Sequence, residues 1–234
     1  MRKLIVVTGG SKGIGRAIIE KFASMDFDII TCARQLQDLD ELKKQISHKY
    51  SATLSYLTAD LSVKADTIKF IDFIKATQRN IDVLVNNTGH FMPGAIHEEE
   101  EGTLEHMINT NLYSAYNVTR GLVHPMKERR EGHIFNICST ASIIPYVNGG
   151  SYCISKFALY GMTKVLREEM KAFGVRVTAV LPGATFTASW EGVDLPEERF
   201  MKAEDVAEAV WSAYQLSKNS VVEEILIRPQ LGDI

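Results

Sequence analysis

The sequence lacks the features that mark secreted, membrane-embedded and disulfide-bonded proteins. Its three cysteines, Cys32, Cys138 and Cys153, are an odd number without a CxxC pair, which fits neither a disulfide framework nor a zinc site. No run of about 18 apolar residues is present to span a bilayer. The apolar start over residues 1–8 is too short for a secretory signal. We therefore expect reduced thiols and a cytoplasmic location.

Positive charge and metal-binding patterns are also scarce. The formal net charge is -3, so there is no basic surface to attract nucleic acid or an anionic membrane. The 6 histidines form no HxxxH pair and no His/Cys cluster with ligand spacing. We predict no bound metal, no nucleic acid and no membrane partner, which leaves a small molecule as the expected ligand.

Short β-branched runs alternate along the chain with longer segments of helical periodicity. The 234 residues, 45% of them hydrophobic, suit one α/β domain over 1–234. Ile18, Ile19 and Phe22 recur at helical spacing between the first two runs, and this strand–helix alternation is typical of a doubly wound sheet. We predict a Rossmann-type α/β fold with seven parallel strands flanked by helices. The predicted strands cover residues 4–8, 28–32, 54–58, 82–86, 133–138, 176–181 and 223–227.

A glycine-rich segment, TGGSKGIG over residues 8–15, follows the first strand and opens the first helix. Glycines at this place permit a sharp turn and let the backbone approach a pyrophosphate at the helix N-terminus. By itself the segment is compatible both with dinucleotide binding and with an ordinary strand-to-helix turn. A P-loop is excluded, because Arg16 and Ala17 follow Gly15 where Lys and then Ser or Thr are required.

Two cations favour NADP(H) over NAD(H). An NAD site usually places a carboxylate about 20 positions after the glycines to bind the ribose 2′-hydroxyl, whereas a cation suits a 2′-phosphate. Here the second strand ends in Ala33 and Arg34, and Lys12 lies within the glycine segment. Either base alone is compatible with an ordinary surface position, but the pair indicates a 2′-phosphate site.

Ser139, Tyr152 and Lys156 carry groups suited to proton transfer. Ser139 follows the fifth predicted strand, and Tyr152 and Lys156 are four residues apart in a helix predicted over 151–172, so they share one face. Hydride transfer to a carbonyl leaves charge on oxygen, which requires a proton donor and hydrogen bonds. A nearby ammonium lowers the pKa of a phenol. The alternative is an amphipathic helix with Tyr and Lys at its edge.

Residues 98–101, EEEE, are the conspicuous charge block of the chain. Carboxylates are favoured near a helix N-terminus by the helix dipole. We therefore interpret this run as the solvated start of a helix.

These motifs together resemble those of the short-chain dehydrogenase/reductase family over essentially the whole chain. The resemblance rests on TGGSKGIG, on NNTG at 86–89, on Asn111 and on the YxxxK pair. It implies that Tyr152 is the general acid or base, that Lys156 lowers the pKa of Tyr152 and binds the nicotinamide ribose, and that Ser139 orients the carbonyl. It also implies that Asn111 holds a water that links Lys156 to solvent.

The same resemblance implies a set of contacts with the cofactor. Asp60 would face the adenine, Asn87 and Gly89 the adenosine side, and Thr187 the nicotinamide carboxamide. Thr88 stands where the family usually has alanine. The complete set of expected cofactor residues is Gly9, Ser11, Lys12, Gly13, Ile14, Gly15, Arg34, Asp60, Leu61, Asn87, Thr88, Gly89, Tyr152, Lys156, Pro182, Gly183, Thr185 and Thr187.

Residues 184–202 resemble the mobile substrate loop of the family and contain Phe186, Trp190 and Phe200. We expect these side chains, with Phe91, Met92 and Tyr146, to form a pocket with apolar and aromatic walls. The final segment, VVEEILIRPQLGDI, resembles that of bacterial members described as sepiapterin-reductase-like, although no pterin-anchoring residue can be carried over. The loop contains no pattern that identifies the substrate.

The expected function is an NADP(H)-dependent oxidoreductase that reduces a carbonyl to an alcohol with a tyrosine as general acid. Two alternatives are an NADP-dependent alcohol dehydrogenase that works in the oxidising direction and a dinucleotide sensor of the same fold without turnover. The expected partner is a small carbonyl or alcohol substrate. The resemblance further implies a homodimer or homotetramer, paired through helices at about 103–130 and 151–172.

Overall fold

The computed structural model describes residues 1–187 and 195–233. All seven predicted strands are present. They are β1 (Leu4–Thr8), β2 (Asp28–Ala33), β3 (Leu54–Thr58), β4 (Val83–Asn86), β5 (His133–Ile137), β6 (Arg176–Pro182) and β7 (Glu224–Ile227). The α-helices are α1 (Gly13–Ser24), α2 (Leu36–Lys49), α3 (Lys64–Ala76), α4 (Thr103–Ile108), α5 (Ser114–Arg129), α6 (Gly150–Lys171) and α7 (Ala203–Gln215).

The strands form one sheet in the order β3-β2-β1-β4-β5-β6-β7, and every neighbouring pair is parallel. The prediction of a seven-stranded, doubly wound parallel sheet is therefore confirmed. The order reverses between β1 and β4, which places the loops after these two strands side by side. In open α/β sheets, ligands bind at the carboxyl ends of the strands at such a reversal.

Two apolar cores lie on opposite faces of the sheet. One packs α1, α2 and α7 on the sheet and includes Ile18, Phe22 and Val206. The other packs α3, α5 and α6 on the opposite face and includes Phe70 and Leu122. Because both faces are covered, the inner strands are near-continuous apolar runs. The edge strand β7 differs, since its side chains are half-buried or exposed.

The long helix expected over 103–130 is interrupted. Asn109–Tyr113 form a π-helical turn between α4 and α5. Such turns arise where one extra residue is accommodated in a helix, and they are frequent at functional sites. Here the turn contains Asn111, which is fully buried. Across residues 1–187 and 195–233, no helix is both long enough and apolar enough to cross a membrane.

Candidate active site

The glycine segment makes a tight turn between β1 and α1. Gly9 and Gly13 have φ of 63° and 53°, a left-handed conformation that favours glycine. A Cβ atom at Gly15 would lie 2.4 Å from Asn87 Nδ2 and 2.6 Å from the Gly9 carbonyl oxygen. Gly10 is absent from the predicted set of cofactor residues. A Cβ atom at Gly10 would lie 2.2 Å from Thr31 Oγ1, so this position also has no room for a side chain. The loop therefore brings bare backbone to the start of α1.

The loop after β4 is hydrogen-bonded directly to the glycine segment. Thr8 Oγ1 accepts hydrogen bonds from the backbone N–H groups of Asn87 and Thr88, both at 3.0 Å. Asn87 Nδ2 donates to the carbonyl oxygens of Thr8 and Gly9 at 3.0 and 2.9 Å. Asn87, which was expected on the adenosine side, and Thr88, which belongs to the expected cofactor set, thus hold the two loops together. The sequence reasoning did not include Thr8, whose signal is its place at the end of the first strand.

The two predicted cations lie at the same edge of the sheet. Lys12 Nζ forms an ion pair with Asp38 Oδ2 at 2.9 Å. Asp38 lies in the first turn of α2 and was not among the residues predicted from the sequence. Arg34 follows β2 and is exposed. Burial, the neighbouring His106 and the charge of Arg34 together lower the pKa of His90, so Arg34 and the β4 loop share one electrostatic environment.

Asp60 and Leu61 have structural contacts that the sequence did not predict. Asp60 Oδ1 accepts hydrogen bonds from the backbone N–H and the hydroxyl of Ser62, at 2.9 and 2.7 Å. These bonds close the turn between β3 and α3. Leu61 is buried in the core beneath that turn. The contact of Asp60 with adenine and the place of Leu61 in the cofactor site stay predictions.

Tyr152 and Ser139 form the hydrogen-bonded centre of the site. Ser139 caps a short 3-10 helix (Thr140–Ser142), and its Oγ accepts from the Ala141 N–H at 3.1 Å. Burial raises the pKa of Tyr152 to about 12. The hydrogen bond with Ser139 lowers this pKa, but by less than burial raises it. The phenol is therefore protonated at neutral pH.

Lys156 lies one helical turn after Tyr152 and is buried. Its Nζ is 5.8 Å from the centroid of the Tyr152 ring and donates to the Ile137 carbonyl oxygen at 2.9 Å. Burial lowers the pKa of Lys156 to about 8. The resemblance implied that Lys156 lowers the pKa of Tyr152, and that contribution stays a prediction. The net shift in the pKa of Tyr152 is upward, because burial, its largest cause, removes the phenolate from water.

Asn111 joins the β4 loop to α6. Its Oδ1 accepts from the His90 N–H at 2.7 Å, and its Nδ2 donates to the His90 carbonyl at 3.0 Å and to Ser155 Oγ at 2.8 Å. A Cβ atom at Gly89 would lie 3.3 Å from Asn111 Oδ1 and 3.4 Å from Lys156 Nζ. Gly89, Asn111 and Lys156 therefore lie close together. The water expected at Asn111 stays a prediction.

A buried polar chain lies beneath the site. Asn86 Nδ2 donates to Asn136 Oδ1 at 2.7 Å, and Asn136 Nδ2 donates to Thr163 Oγ1 at 2.8 Å. This chain links β4, β5 and α6, so it fixes the helix that carries Tyr152 relative to the sheet. The sequence reasoning treated Asn86 only as part of the NNTG motif and did not include Asn136 or Thr163.

The segment after β6 returns to the glycine loop. Gly183, directly after Pro182, donates its N–H to the Ile227 carbonyl at 2.8 Å, and Thr185 Oγ1 donates to the Gly183 carbonyl at 3.0 Å. A Cβ atom at Gly13 would lie 3.0 Å from Thr187 Cγ2, so Thr187 lies over the glycine segment. The substrate loop predicted over 184–202 falls partly outside the described residues, and Trp190 is among those not described.

Aromatic side chains surround the phenol. The Phe91 ring packs edge-on against the Tyr152 ring with centroids 4.9 Å apart. Burial and the neighbouring Tyr152 raise the pKa of Tyr146, which places Tyr146 beside the site. Exposed apolar side chains of Met92, Ile144 and Phe186 come from the loops after β4, β5 and β6. Within the part of the chain that the structure describes, no three His, Cys, Asp or Glu side chains group closely enough to hold a metal ion.

Comparisons with known proteins agree with this arrangement. The family model for short chain dehydrogenases matches residues 3–197. The chain is similar to the sepiapterin reductase of Chlorobaculum tepidum, with 35% identity over 100% of this chain and 99% of that protein.

Two solved structures share the fold. The X-ray structure of the alcohol dehydrogenase from the archaeon Thermococcus sibiricus, complexed with 5-hydroxy-NADP, has a TM-score of 0.92 and 25% identity over 99% of this chain and 98% of that one. A metagenomic short-chain oxidoreductase in complex with NADP has a TM-score of 0.85 and 29% identity over 97% of both chains. With Ser139, Tyr152, Lys156 and Asn111 gathered beside the glycine loop, these matches confirm the resemblance read from the sequence: the chain belongs to the short-chain dehydrogenase family of oxidoreductases.

Proposed function

We propose that the protein is an NADP(H)-dependent carbonyl reductase with Tyr152 as its general acid. The observation that carries the proposal is geometric: the Tyr152 phenol is hydrogen-bonded to Ser139, and the buried Lys156 lies one helical turn away with its Nζ 5.8 Å from the centroid of the Tyr152 ring. A proton donor must hold its proton until charge develops on the substrate oxygen. Tyr152 keeps its proton at neutral pH, and the neighbouring Lys156 cation stabilises the phenolate that proton transfer leaves.

The glycine segment fits a bound dinucleotide. Its backbone opens α1 without side chains at Gly9, Gly13 and Gly15, where a Cβ would be strained or would clash. Backbone N–H groups at a helix N-terminus bind phosphate oxygens. Lys12 and Arg34 supply the positive charge that would neutralise a 2′-phosphate, and the two solved relatives described above contain NADP or a derivative of it. When bound, NADPH supplies the hydride that reduces the carbonyl carbon.

The chain's own groups act on the carbonyl oxygen. Ser139 Oγ donates a hydrogen bond to that oxygen and holds it beside the phenol. Tyr152 donates its hydroxyl proton as the oxygen gains charge, which yields the alcohol and leaves a phenolate. The Lys156 ammonium stabilises the phenolate, and a proton that reaches Tyr152 through Lys156 restores the phenol. Asn111 holds the His90 backbone and Ser155 in place on one side of Lys156.

The pocket walls favour an uncharged carbonyl substrate. Phe91 and Tyr146 flank Tyr152, and burial, the largest cause, lowers the pKa of His90 and so disfavours the charged imidazolium. A panel of ketones, diketones, quinones, pterins and acyl-thioester ketones, assayed by NADPH consumption, tests this proposal. Turnover of apolar ketones above acidic ones is expected. Absence of any turnover together with tight NADPH binding would favour the sensor, and faster alcohol oxidation at neutral pH would favour the dehydrogenase direction.

Arg34→Asp is expected to shift the cofactor preference towards NADH. The substitution removes a cation from the 2′-phosphate and offers a carboxylate to a ribose 2′-hydroxyl, so kcat/KM for NADPH is expected to fall about 100-fold relative to NADH. The measurement is kcat/KM for both cofactors. Lys44→Asp, at an exposed position of α2, is the matched control and is expected to leave the preference unchanged. Unchanged selectivity in Arg34→Asp would remove Arg34 from the 2′-phosphate site.

We also propose that α6 pairs with its counterpart in a second copy of the chain. Ile154, Phe157 and Val165 are exposed along one stripe of the helix. Gly161 lies on that stripe, and a Cβ atom there would have nothing within 4 Å. A glycine inside an exposed helix lowers the stability of the helix by about 1 kcal/mol relative to alanine. Nothing among the described residues of a single chain requires glycine at position 161, so its presence indicates that a second chain approaches the helix closely there.

Gly161→Glu is expected to convert the oligomer to a monomer, because it buries a carboxylate at the centre of that contact. Light scattering after size-exclusion chromatography measures the mass. Glu169→Lys, an exposed charge change on the same helix, is the control for non-specific effects on solubility. An unchanged oligomer in Gly161→Glu, or a wild-type monomer, would contradict the pairing.

A further inference from the structure

Glu99 differs from its neighbours in the acidic run at 98–101. Glu98, Glu100 and Glu101 are exposed, whereas Glu99 is half-buried against the first turn of α6. Its Oε1 accepts a hydrogen bond from the Ser151 N–H at 2.8 Å, and its Oε2 accepts one from the Ser151 hydroxyl. The carboxylate thus satisfies an N–H group that the helix start leaves without an intrahelical partner. No side chain local to α6 caps this helix.

Glycines on both sides make room for this carboxylate. A Cβ atom at Gly150 would lie 2.2 Å from Glu99 Oε1, and one at Gly94 would lie 2.7 Å from Glu99 Cγ. The backbones also meet, since the Gly94 N–H donates to the Asn148 carbonyl at 2.9 Å. The segment before Glu99 is therefore fastened to the turn that precedes Tyr152.

The other end of the same segment is held independently. The Asn111 side chain binds both the N–H and the carbonyl of His90. Phe91 follows directly, and its ring packs edge-on against the Tyr152 ring at 4.9 Å. Residues 90–99 thus form a strap that is anchored by Asn111 at one end and by Glu99 at the other, with Phe91 against the proton donor.

We infer that Glu99 is a positioning residue for proton transfer: it holds the 90–99 strap on the start of α6 and so sets the position of the Tyr152 ring through Phe91. The inference rests on the proposed function, because it requires Tyr152 to be the proton donor. Glu99 itself does not touch the reacting atoms. Its loss is expected to act on the chemical step and not on dinucleotide binding, because the contacts of Glu99 described above are with the strap and the start of α6.

The test compares kcat with NADPH affinity, with 1-phenyl-1,2-propanedione as the probe substrate. Glu99→Ala is expected to lower kcat about 10- to 100-fold, as a misplaced catalytic group does, with little change in the Kd for NADPH measured by fluorescence. Glu99→Gln is expected to restore most of kcat, since an amide can accept from the Ser151 N–H and donate to its hydroxyl. Glu98→Ala removes an exposed neighbouring charge and is expected to have no effect.

A double-mutant cycle with Phe91→Ala tests the route of the effect. If Glu99 acts through Phe91, the loss of kcat in the double variant is no larger than the greater of the two single losses, because the effects of coupled residues do not add. Three results would overturn the inference. The first is a double variant whose loss of kcat is the product of the two single losses, and the second is an unchanged kcat in Glu99→Ala. The third is a loss of NADPH affinity as large as the loss of kcat. If Glu99→Ala does not fold, Glu99→Asp, whose shorter side chain withdraws the carboxylate from Ser151, replaces it under the same criteria. Tyr152→Phe runs alongside: wild-type activity in that variant refutes the proposed function, whereas a large loss in Tyr152→Phe beside a fully active Glu99→Ala refutes only the role of Glu99.

Discussion

Replacement of Tyr152 by phenylalanine is expected to lower kcat for carbonyl reduction by about 10²- to 10⁴-fold, the range that a positioned general acid contributes. The phenol is the proton donor next to the substrate oxygen, and Phe keeps the ring that packs on Phe91 while it removes the hydroxyl that bonds Ser139. Binding of NADPH is expected to be nearly unchanged. Single-turnover kinetics with saturating NADPH measure the loss at the chemical step.

Tyr160→Phe is the matched control. Tyr160 lies two helical turns further along α6, where its hydroxyl bonds Glu224 at the outer edge of the sheet. Its loss is expected to leave kcat unchanged. Equal activities of Tyr152→Phe and the wild type would assign the proton donor to another group.

Reduction is expected to slow as pH rises through about 8, because the Lys156 ammonium loses its charge there. The direction follows from the protonated states. Below its pKa of about 8, Lys156 is a cation that stabilises the phenolate left by proton transfer, and above it this stabilisation is lost. Tyr152, with a pKa raised to about 12, stays protonated throughout this range. The profile of kcat/KM against pH reports these groups in the free enzyme.

Lys156→Met is expected to lower kcat/KM about 100-fold at neutral pH and to abolish the decline near pH 8. Met fills similar volume without charge, so the buried site keeps its packing. Lys164→Met, at an exposed position of the same helix, is expected to keep both the rate and the decline. A profile that is flat to pH 9.5 in the wild type, or a decline that persists in Lys156→Met, would contradict this assignment.

The sheet was predictable because its strands are buried on both faces. Such strands consist of apolar runs that are visible without any partner, as in LIVVT of β1, and their alternation with helical periodicity dictates parallel connections. Even the edge strand β7 was found from EILI, although half of its side chains face outward. The catalytic group was predictable for a related reason. Tyr152 and Lys156 are one helical turn apart, so their proximity is a local property of α6.

Contacts between distant segments were not predictable in the same way. Four consecutive glutamates look alike in the sequence, and only the packing of the β4 loop on α6 selects Glu99 as the one that caps the helix. Thr8 is an ordinary strand residue until the loop after β4 places two N–H groups over its hydroxyl. The rise in the pKa of Tyr152 was not predictable either, because the sequence shows a neighbouring ammonium but not the extent to which the phenol is buried.

The π-helical turn at Asn109–Tyr113 constrains the length of the chain as well as its composition. Each residue of an α-helix rotates the chain by about 100° around the helix axis. Deletion of one residue from the π-helical turn would restore regular α-helical geometry, but it would also rotate α4 by about 100° relative to α5. His106 on α4 would then turn away from His90, which it now meets at 3.3 Å. A segment that reads as an uninterrupted helix therefore tolerates substitution at its exposed positions far better than the loss of a single residue.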